Sequence, residues 1–334
     1  MKALVVDAAG RVAVTEIAPP EVLDGEMLIA PSSVGMCGTD LELIDASIDP
    51  AYVRYPLVLG HEWVGVALSD EPGVASAGDR VVVEGVIACG HCDECRRGDT
   101  NRCATYDEIG FTRAGAIAER VAVPASLVHR LDPSVEADDA VLIEPMAVVW
   151  RALTRIDLRK GLRVAVIGDG TIALLAAHMV RLFEPATIVV VGRREAQATL
   201  ASAAGADEFL TTVPNDTFDL VIEAAGTGES ASTALSLAAR GAMVILLGLA
   251  PHGTTVDVAP DDVVNNDLII QGSFSYTRQS WSEVVQMLND RVIHPSFLVT
   301  HQFDLTQWRE ALDTLAHTPG DEPRGKVVIT LDND

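Results

Sequence analysis

The sequence predicts an α/β protein of two domains, one with a doubly wound parallel sheet of six strands and one rich in β-strands. The chain has 334 residues, more than one ordinary hydrophobic core accommodates. Short β-rich runs separated by Gly, Pro and Asp turns fill residues 1–148, whereas apolar runs alternate with helical segments over 149–273. Residues 274–334 have a mixed pattern. We therefore predict that 1–148 and 274–334 form the β-rich domain and that 149–273 form the parallel-sheet domain.

The individual elements follow from apolar runs, turn residues and helical periodicity. In the β-rich domain, strands are predicted at 4–7, 12–17, 27–30, 64–67, 80–84, 118–123 and 325–331, with helices at 281–288 and 308–316. In the parallel-sheet domain, strands are predicted at 163–167, 187–191, 208–211, 219–223, 243–247 and 268–271, with helices at 171–183, 195–204 and 230–239. This alternation of strand and helix is typical of a doubly wound sheet.

Charge and hydropathy argue against several classes of partner. The formal net charge of −24 opposes binding to nucleic acid, which requires a basic surface. No apolar run approaches the roughly 20 residues that span a bilayer. The first residues predict a strand rather than a signal peptide. We expect a cytoplasmic protein that acts on a small molecule, with no nucleic-acid or membrane partner.

A glycine-rich turn follows the first predicted strand of the parallel-sheet domain. It reads Gly168-Asp169-Gly170-Thr171-Ile172-Ala173, or G-x-G-x-x-A, and opens a predicted helix. In a dinucleotide-binding Rossmann fold the first glycine makes the turn, the second admits the pyrophosphate, and the third small residue lets helix and sheet pack closely. The helix N-terminus offers N–H groups to the phosphates. We predict that a dinucleotide binds at Gly168, Gly170, Thr171, Ile172 and Ala173.

The end of the next strand predicts which dinucleotide binds. An acidic residue about 20 positions after the loop would accept a hydrogen bond from the ribose 2′-hydroxyl of NAD(H). Here the strand ends in Gly192-Arg193-Arg194, with no carboxylate at its tip. Two guanidinium groups can bind a phosphate, and Gly192 leaves room for it. This favours NADP(H) over NAD(H); the alternative is a pair of solvated arginines at a helix start.

Four of the five cysteines lie close together in the sequence. Cys89, Cys92, Cys95 and Cys103 have the spacing C-x2-C-x2-C-x7-C. Four thiolates in one loop are typical of a closed structural zinc site. The alternative is an iron–sulfur cluster, but the ferredoxin pattern places its fourth cysteine after three residues and follows it with proline. This chain has Ala104 after the fourth cysteine, so zinc is favoured.

Cys37, His61 and Glu144 are unremarkable singly, but with their neighbours they carry a family resemblance. The chain resembles the zinc-containing medium-chain dehydrogenases/reductases, the alcohol and polyol dehydrogenases, over essentially its whole length. The resemblance rests on the four-cysteine loop, the glycine-rich turn and the motifs Cys37-Gly38-Thr39-Asp40, Gly60-His61-Glu62, Gly78-Asp79-Arg80-Val81, Glu144-Pro145 and Gly325-Lys326-Val327-Val328. It implies a GroES-like β-rich domain, two zinc ions per chain, and a homodimer or homotetramer joined through the edge strand near 268–271.

The resemblance also implies roles for single residues. Cys37, His61 and Glu144 would hold the catalytic zinc, Glu62 would lie beside it and transiently replace a ligand, and Thr39 would pass the substrate proton towards solvent. Loops around the nicotinamide and its ribose match Ala225, Gly248, Ser273 and Phe274, and the pyrophosphate is expected to meet Lys326 or Arg324.

Two positions depart from the alcohol dehydrogenases. Glu144 stands where they have cysteine, as in the sorbitol, glucose and threonine dehydrogenase-like branch, which implies a secondary alcohol of a polyol, sugar or cyclitol as substrate. Glu42 stands where many members have histidine, so the outer proton path is not predicted. The alternative substrates are simple aliphatic or aromatic alcohols or an amino alcohol. The alternative function is that of a non-catalytic, cofactor-sensing protein.

Overall fold

The computed structural model describes residues 1–8, 10–317 and 322–331. Its strands, numbered in chain order, are β1 Lys2–Val6, β2 Val12–Glu16, β3 Glu26–Met36, β4 Leu57–Val58, β5 Glu62–Ala67, β6 Arg80–Val83, β7 Val86–Ile87, β8 Asp107–Glu108, β9 Val121–Pro124, β10 Val128–Arg130, β11 Arg163–Ile167, β12 Thr187–Val191, β13 Glu208–Leu210, β14 Phe218–Glu223, β15 Ala238–Leu246, β16 Ile269–Gly272, β17 Val299–Asp304 and β18 Lys326–Thr330. Its α-helices are α1 Gly38–Ile44, α2 Asp93–Arg96, α3 Ala137–Ala140, α4 Ile143–Leu153, α5 Thr171–Val180, α6 Ala198–Ala203, α7 Gly228–Ser236, α8 Pro260–Asn265, α9 Arg278–Asn289 and α10 Trp308–Ala316. None of these described helices is long and apolar enough to cross a membrane.

The described residues divide into two compact units. The β-rich unit comprises 1–144, 276–317 and 326–331, and the parallel-sheet unit comprises 145–275 and 322–325. Each unit has its own hydrophobic core, with Met27 and Trp63 buried in the first and Val189 and Phe218 in the second.

The parallel-sheet unit has the strand order β13-β12-β11-β14-β15-β16, and all of its strand pairs are parallel. This is the 3-2-1-4-5-6 order of the doubly wound dinucleotide-binding fold. Both β11 and β12 have the predicted bounds, and their apolar runs are buried because helices cover a parallel sheet on both faces. The predicted fold class is confirmed.

One predicted helix of this unit runs too far. Residues 230–239 were expected to be helical, but α7 ends at Ser236 and β15 begins at Ala238. Ala238 pairs with Phe218 of β14, next to a shift in strand register. Pairing within the sheet therefore overrides the helical propensity of the alanines.

The β-rich unit contains three sheets. The largest has the order β10-β6-β5-β3-β18-β17, with β9 also paired to β3; β2, β1 and β4 form the second, and β7 and β8 the third. The strand predicted at 118–123 is wrong in its first half, because β9 begins at Val121. Ala118 instead makes an isolated bridge with Ala3 of β1.

The register of β3 with its neighbours positions a group of polar residues. Gly35 of β3 pairs with Glu62 of β5, and Met36 pairs with Val327 of β18. Cys37 follows β3 directly and is the N-cap residue of α1. Cys37, Glu62 and Lys326 therefore meet at one end of the largest sheet, and His61 immediately precedes β5.

Candidate functional site

Cys37, His61 and Glu62 form a cluster of potential metal ligands in the β-rich unit. One ligand atom from each residue lies within 4.8 Å of the other two. His61 and Glu62 are buried, and Cys37 is partly exposed. Thiolate, imidazole and carboxylate are the usual donors to zinc. The structure thus brings together three of the residues predicted for the catalytic metal.

Two positions beside this cluster leave no room for a larger residue than glycine. A Cβ atom on Gly35 would lie 2.6 Å from Oε2 of Glu62, and a Cβ atom on Gly60 would lie 2.7 Å from Cγ1 of Val34. Gly60 also has a φ angle of +101°, in the region that favours glycine. The backbone therefore requires glycine at position 60, directly before the two potential ligands His61 and Glu62.

Asp40 is buried and contacts two residues of this cluster. Its Oδ1 atom lies 3.7 Å from Nδ1 of His61, and its Oδ2 atom accepts a 2.8 Å hydrogen bond from the N–H of Cys37. Metal-bound imidazoles commonly donate their second N–H to a carboxylate, which fixes the ring and raises its basicity. The donor set and this pairing fit a zinc ion held by Cys37 and His61. The sequence reasoning assigned no role to Asp40, although its place three residues after Cys37 is that of a capping residue.

Lys326 forms a buried ion pair with Glu62. The lysine side chain is 3% exposed and the glutamate side chain 2%. Its ammonium group donates to Oε2 of Glu62 and to the carbonyl of Met36. These contacts use two of the three N–H donors of the Lys326 ammonium group, and a contact of Lys326 or Arg324 with a pyrophosphate stays a prediction. This partner of Glu62 was missed because 264 residues separate the two in sequence.

Glu144 lies near the cluster but outside the set of mutually close ligand atoms. Burial, together with the negative charge of Glu62, raises the pKa of Glu144 to about 8. His61 and Lys326 act in the opposite direction. A nearby cation would stabilise the ionised form of such a buried carboxyl group. The electrostatics therefore fit a metal ion next to Glu144.

Thr39 and two residues around His61 complete the surroundings of the cluster. The Oγ1 atom of Thr39 lies 3.5 Å from Sγ of Cys37. The ring of Phe111 lies against the ring of His61, with centroids 5.2 Å apart. Burial raises the pKa of Glu108 to about 7, and the nearby His61 partly offsets this. A hydroxyl, an aromatic ring and a carboxyl group of raised pKa thus lie around the cluster.

Cys89, Cys92, Cys95 and Cys103 form a second cluster, with all four sulfur atoms within 4.8 Å of one another. Sγ of Cys89 lies 3.9 Å from Sγ of Cys95. Four sulfurs about 2.3 Å from one tetrahedral ion are about 3.8 Å apart, so the cluster fits a single ion. Backbone N–H groups of His91 and Cys92 lower the pKa of Cys89 to about 5, which favours the thiolate that a metal requires.

The glycine-rich turn has the geometry of a phosphate-binding loop. A Cβ atom on Gly168 would lie 3.2 Å from Cβ of Ala173 and 3.1 Å from the carbonyl carbon of Ala224, whereas the space beside Gly170 is open. Helix α5 begins at Thr171 with no side chain capping its first turn. The free N–H groups of a helix start next to open space fit the pyrophosphate of a dinucleotide.

The end of β12 differs from the sequence expectation in one respect. Gly192 leaves no empty space, because a Cβ atom there would lie 2.7 Å from Cβ of Asp169 and 2.7 Å from the ring of Phe209. Asp169 instead pairs with Arg194, with 2.9 Å between Oδ1 and Nη2, while the side chain of Arg193 is exposed. A carboxylate is therefore present near the tip of the strand, supplied by the glycine-rich turn.

The remaining predicted cofactor residues lie in the parallel-sheet unit. Ala225 donates its N–H to Oε1 of Glu223 at 2.8 Å, and a Cβ atom on Gly248 would lie 2.2 Å from the backbone nitrogen of Gly226. The hydroxyl of Ser273 is buried without a hydrogen-bond partner in the described part of the chain, and Phe274 is largely exposed. Glu223 organises the Ala225 loop and was not singled out from the sequence.

Two family models match the chain. Residues 23–133 match the alcohol dehydrogenase GroES-like domain, and residues 170–290 match the zinc-binding dehydrogenase domain. The chain belongs to the zinc-containing medium-chain dehydrogenase/reductase family. The family resemblance predicted from the sequence motifs is confirmed, and so is the combination of a GroES-like domain with a Rossmann sheet.

Relatives of this medium-chain dehydrogenase include enzymes of two substrate types. It is 27% identical to a sorbitol dehydrogenase from Bacillus subtilis, over 94% of this chain and 93% of that protein. It is 29% identical to an L-threonine 3-dehydrogenase from Pseudoalteromonas atlantica, over 93% of this chain and 94% of that protein. A polyol and an amino alcohol are thus both represented among the relatives.

Similar solved structures contain either cofactor. A protein described as a zinc-binding dehydrogenase from Sinorhizobium meliloti, bound to NADP, is 25% identical and has a TM-score of 0.90 over 98% of each chain. A protein described as a short chain alcohol dehydrogenase from Escherichia coli, complexed with NADH, is 25% identical and has a TM-score of 0.90 over 99% of each chain. This medium-chain dehydrogenase is therefore an enzyme of the alcohol dehydrogenase type, with a small-molecule substrate.

Proposed function

We propose that this dehydrogenase transfers a hydride between a secondary alcohol of a polyol, sugar or cyclitol and NADP+. The observation that carries the proposal is the cluster of Cys37, His61 and Glu62, with a second carboxyl group, that of Glu144, close enough to interact with it. Replacing a thiolate ligand by a carboxylate makes a zinc ion harder and better suited to oxygen donors. A substrate with several hydroxyl groups fits such a site.

Each residue of the cluster has a separate task in this proposal. Zinc bound here would supply the Lewis acidity that brings the pKa of a substrate hydroxyl towards neutrality. Cys37, His61 and Glu144 would be its lasting ligands, and Asp40 would orient His61. Glu62 is already bonded to Lys326, so it would serve as the nearby carboxylate that replaces a ligand only transiently.

Thr39 is proposed to accept the proton of the substrate hydroxyl and pass it on. It stands at the start of α1, two residues after Cys37, and is partly exposed. A hydroxyl group both accepts and donates hydrogen bonds, so it can receive a proton on one side and release one on the other.

An amino alcohol is the second candidate substrate. The L-threonine 3-dehydrogenase relative favours it, and so does the carboxyl group of Glu108 near His61. A carboxylate there would pair with a substrate ammonium group, whereas a neutral carboxyl group would donate a hydrogen bond to a hydroxyl.

The preference for NADP(H) is supported by the number of cations at the end of β12. Arg193 is exposed there, and Arg324 is fixed by two hydrogen bonds between its backbone and the side chain of Gln197. Burial and the neighbouring Arg194 lower the pKa of Arg324. Arg194 pairs with Asp169, whereas Arg193 and Arg324 add two further cations near this strand end, so an additional phosphate would be stabilised there.

Three further properties are part of the proposal: the oligomeric state, a second zinc ion and the cellular location. One of the two edge strands of the parallel sheet is β16, whose Ile269 and Ile270 are exposed. A homodimer or homotetramer would form by pairing this edge with a second copy. The second zinc ion would be bound by the four clustered cysteines, giving two per chain. We propose a cytoplasmic location, where these thiols remain reduced.

A dehydrogenase screen tests the proposed function. The zinc-loaded enzyme is assayed with sorbitol and other polyols, sugars, cyclitols, L-threonine and short alcohols, each with NADP+ and with NAD+. We expect the highest kcat/KM with a polyol, sugar or cyclitol and NADP+. A highest value with L-threonine would establish the amino alcohol instead, and no turnover with any of these substrates would contradict an enzymatic function.

A further inference from the structure

Asp169, the second residue of the glycine-rich turn, is the centre of a hydrogen-bond network at the end of β12. Its Oδ2 atom accepts hydrogen bonds from the backbone N–H groups of Arg193 and Arg194, at 2.9 and 3.0 Å. Its Oδ1 atom accepts one from Nη2 of Arg194 at 2.9 Å, and the same nitrogen donates to the carbonyl of Asp169 at 3.1 Å. The Asp169 side chain is 11% exposed and that of Arg194 is 25% exposed.

These contacts occupy the groups that would otherwise bind a phosphate. A 2′-phosphate on the adenosine ribose would need N–H donors and an available guanidinium group at this strand end. The carboxylate of Asp169 already holds two N–H groups and the guanidinium of Arg194. It also packs over Gly192, where a Cβ atom would lie 2.7 Å from Cβ of Asp169. In contrast, the side chain of Arg193, two residues after the end of β12, is exposed.

We propose that Asp169 is a specificity-determining residue for the cofactor, because it holds Arg194 away from a 2′-phosphate and places a negative charge beside it. Arg193 is then the principal contact of the 2′-phosphate, and Arg194 is a positioning residue. Asp169 thereby limits the preference for NADP(H) and keeps NAD(H) acceptable, as an acidic residue at the strand end does in NAD-binding folds. This inference rests on the proposed binding of a nicotinamide dinucleotide in the parallel-sheet unit.

The test compares the dissociation constants of NADP+ and NAD+ for the zinc-loaded, full-length enzyme, measured by calorimetric titration. Asp169→Asn keeps an oxygen that can accept the backbone N–H groups but removes the charge that binds Arg194. We expect the ratio of the NAD+ constant to the NADP+ constant to rise about tenfold, mainly through tighter binding of NADP+. Adding Arg194→Ala to this variant should remove most of the gain.

Asp207 provides a matched control in the same unit. Its carboxylate also accepts a backbone N–H, that of Ile188 at 2.7 Å, and pairs with Arg181 at 2.7 Å, at the other end of β12. Asp207→Asn should therefore leave the ratio unchanged. If Asp169 only stabilised the turn, Asp169→Asn would weaken both cofactors equally and the ratio would stay constant, which would overturn the inference.

A second comparison does not depend on Asp169 variants folding. In the otherwise unaltered enzyme, Arg193→Ala should weaken NADP+ binding about tenfold, whereas Arg194→Ala should change it by less than about threefold. An equal or larger loss from Arg194→Ala would also overturn the inference. The proposed cofactor and the role of Asp169 are tested separately. If the unaltered enzyme binds NAD+ more tightly than NADP+, the proposed cofactor is wrong. The change in the ratio of the two dissociation constants in Asp169→Asn alone decides the role of Asp169.

Discussion

The Oδ1 atom of Asp40 lies 3.7 Å from the Nδ1 atom of His61, and both atoms are buried without a hydrogen-bond partner among residues 1–8, 10–317 and 322–331. The second carboxylate oxygen of Asp40 accepts the N–H of Cys37. One buried carboxylate thus supports two proposed zinc ligands, so its charge should affect metal affinity more than it affects folding.

Asp40→Asn should weaken zinc binding at the Cys37 site about 10- to 100-fold, as expected for a group that orients a metal-bound histidine. The asparagine keeps the size of the side chain and an acceptor for the N–H of Cys37. Competition with a chelator, followed by metal analysis, measures the effect. Asp49→Asn is the control, because Asp49 is exposed and caps a different turn of the same unit. Equal zinc affinity in both variants would show that Asp40 has no role in holding the metal.

The sequence identified the proposed ligands but not the residues that support them. Cys37, His61 and the four clustered cysteines were found because short motifs report their chemistry. The partners of Lys326 and Asp169 were not predicted, because they are fixed by strand pairing and by a turn rather than by spacing along the chain. The pairing of Glu62 with Lys326, for example, requires that β5 and β18 both lie beside β3.

Lys326→Met should lower the free energy of unfolding of the zinc-loaded enzyme by about 3–5 kcal/mol, since it removes the ammonium group that pairs with the buried charge of Glu62. Adding Glu62→Gln removes that charge and should recover part of the loss. Denaturant unfolding of the single and double variants measures both effects.

A surface ion pair is the control for the Lys326 prediction. Lys160 pairs with Glu184 at 2.5 Å, and both side chains are exposed. Lys160→Met should therefore change the free energy of unfolding by less than about 1 kcal/mol. Similar losses for Lys326→Met and Lys160→Met would contradict the importance assigned to burial.

Metal analysis should return two zinc ions per chain and no iron. Cys95→Ser should reduce the zinc content to one and lower Tm, because a closed four-cysteine site contributes directly to folding. Cys37→Ser should also reduce the content to one, but with little change in Tm and with loss of turnover. Iron bound at the four cysteines, or Cys95→Ser retaining two zinc ions, would show that the proposed assignment is wrong.

Glu108 should give the enzyme a pH-dependent stability. Its pKa is raised by burial from 4.5 to about 7. Between these pH values the folded protein holds a proton that the unfolded chain releases. The contribution of Glu108 to the free energy of unfolding is therefore complete below pH 4.5 and is lost as the pH rises towards 7. Across this window the unaltered enzyme should lose about 1–3 kcal/mol more stability than Glu108→Gln. The exposed Glu310→Gln should behave as the unaltered enzyme does, and coincidence of all three curves would rule out a raised pKa.

The fold was more predictable than the site because its signal is periodic. The runs Arg163–Ile167 and Thr187–Val191 are apolar throughout, and buried parallel strands need no other signal. Element ends were less predictable where tertiary contacts decide them, as at Ala238, whose pairing with Phe218 ends the preceding helix early. In the β-rich unit, Ala118 has a strand-like neighbourhood but bridges to Ala3 instead.

Thr39 offers the sharpest test of the proposed proton path, because its hydroxyl can be removed without changing the shape of the side chain. Thr39→Val should lower kcat about 100-fold or more, the typical contribution of a positioned proton-transfer group. Thr39→Ser keeps the hydroxyl and should retain kcat to within about threefold. Zinc content and the dissociation constant of NADP+ should be unchanged in both variants, because Thr39 is proposed to bind neither.

The dependence of kcat on pH distinguishes a proton path from a packing effect at Thr39. If Thr39 carries the proton, Thr39→Val should recover activity at high pH, where hydroxide removes the substrate proton directly, and Thr39→Ser should follow the unaltered enzyme. A purely structural role would lower kcat by the same factor at every pH. If the pH profile of Thr39→Val runs parallel to that of the unaltered enzyme, the Thr39 hydroxyl is not part of the proton path. Glu108 would then be the next candidate proton acceptor, because its pKa is raised and it lies near His61.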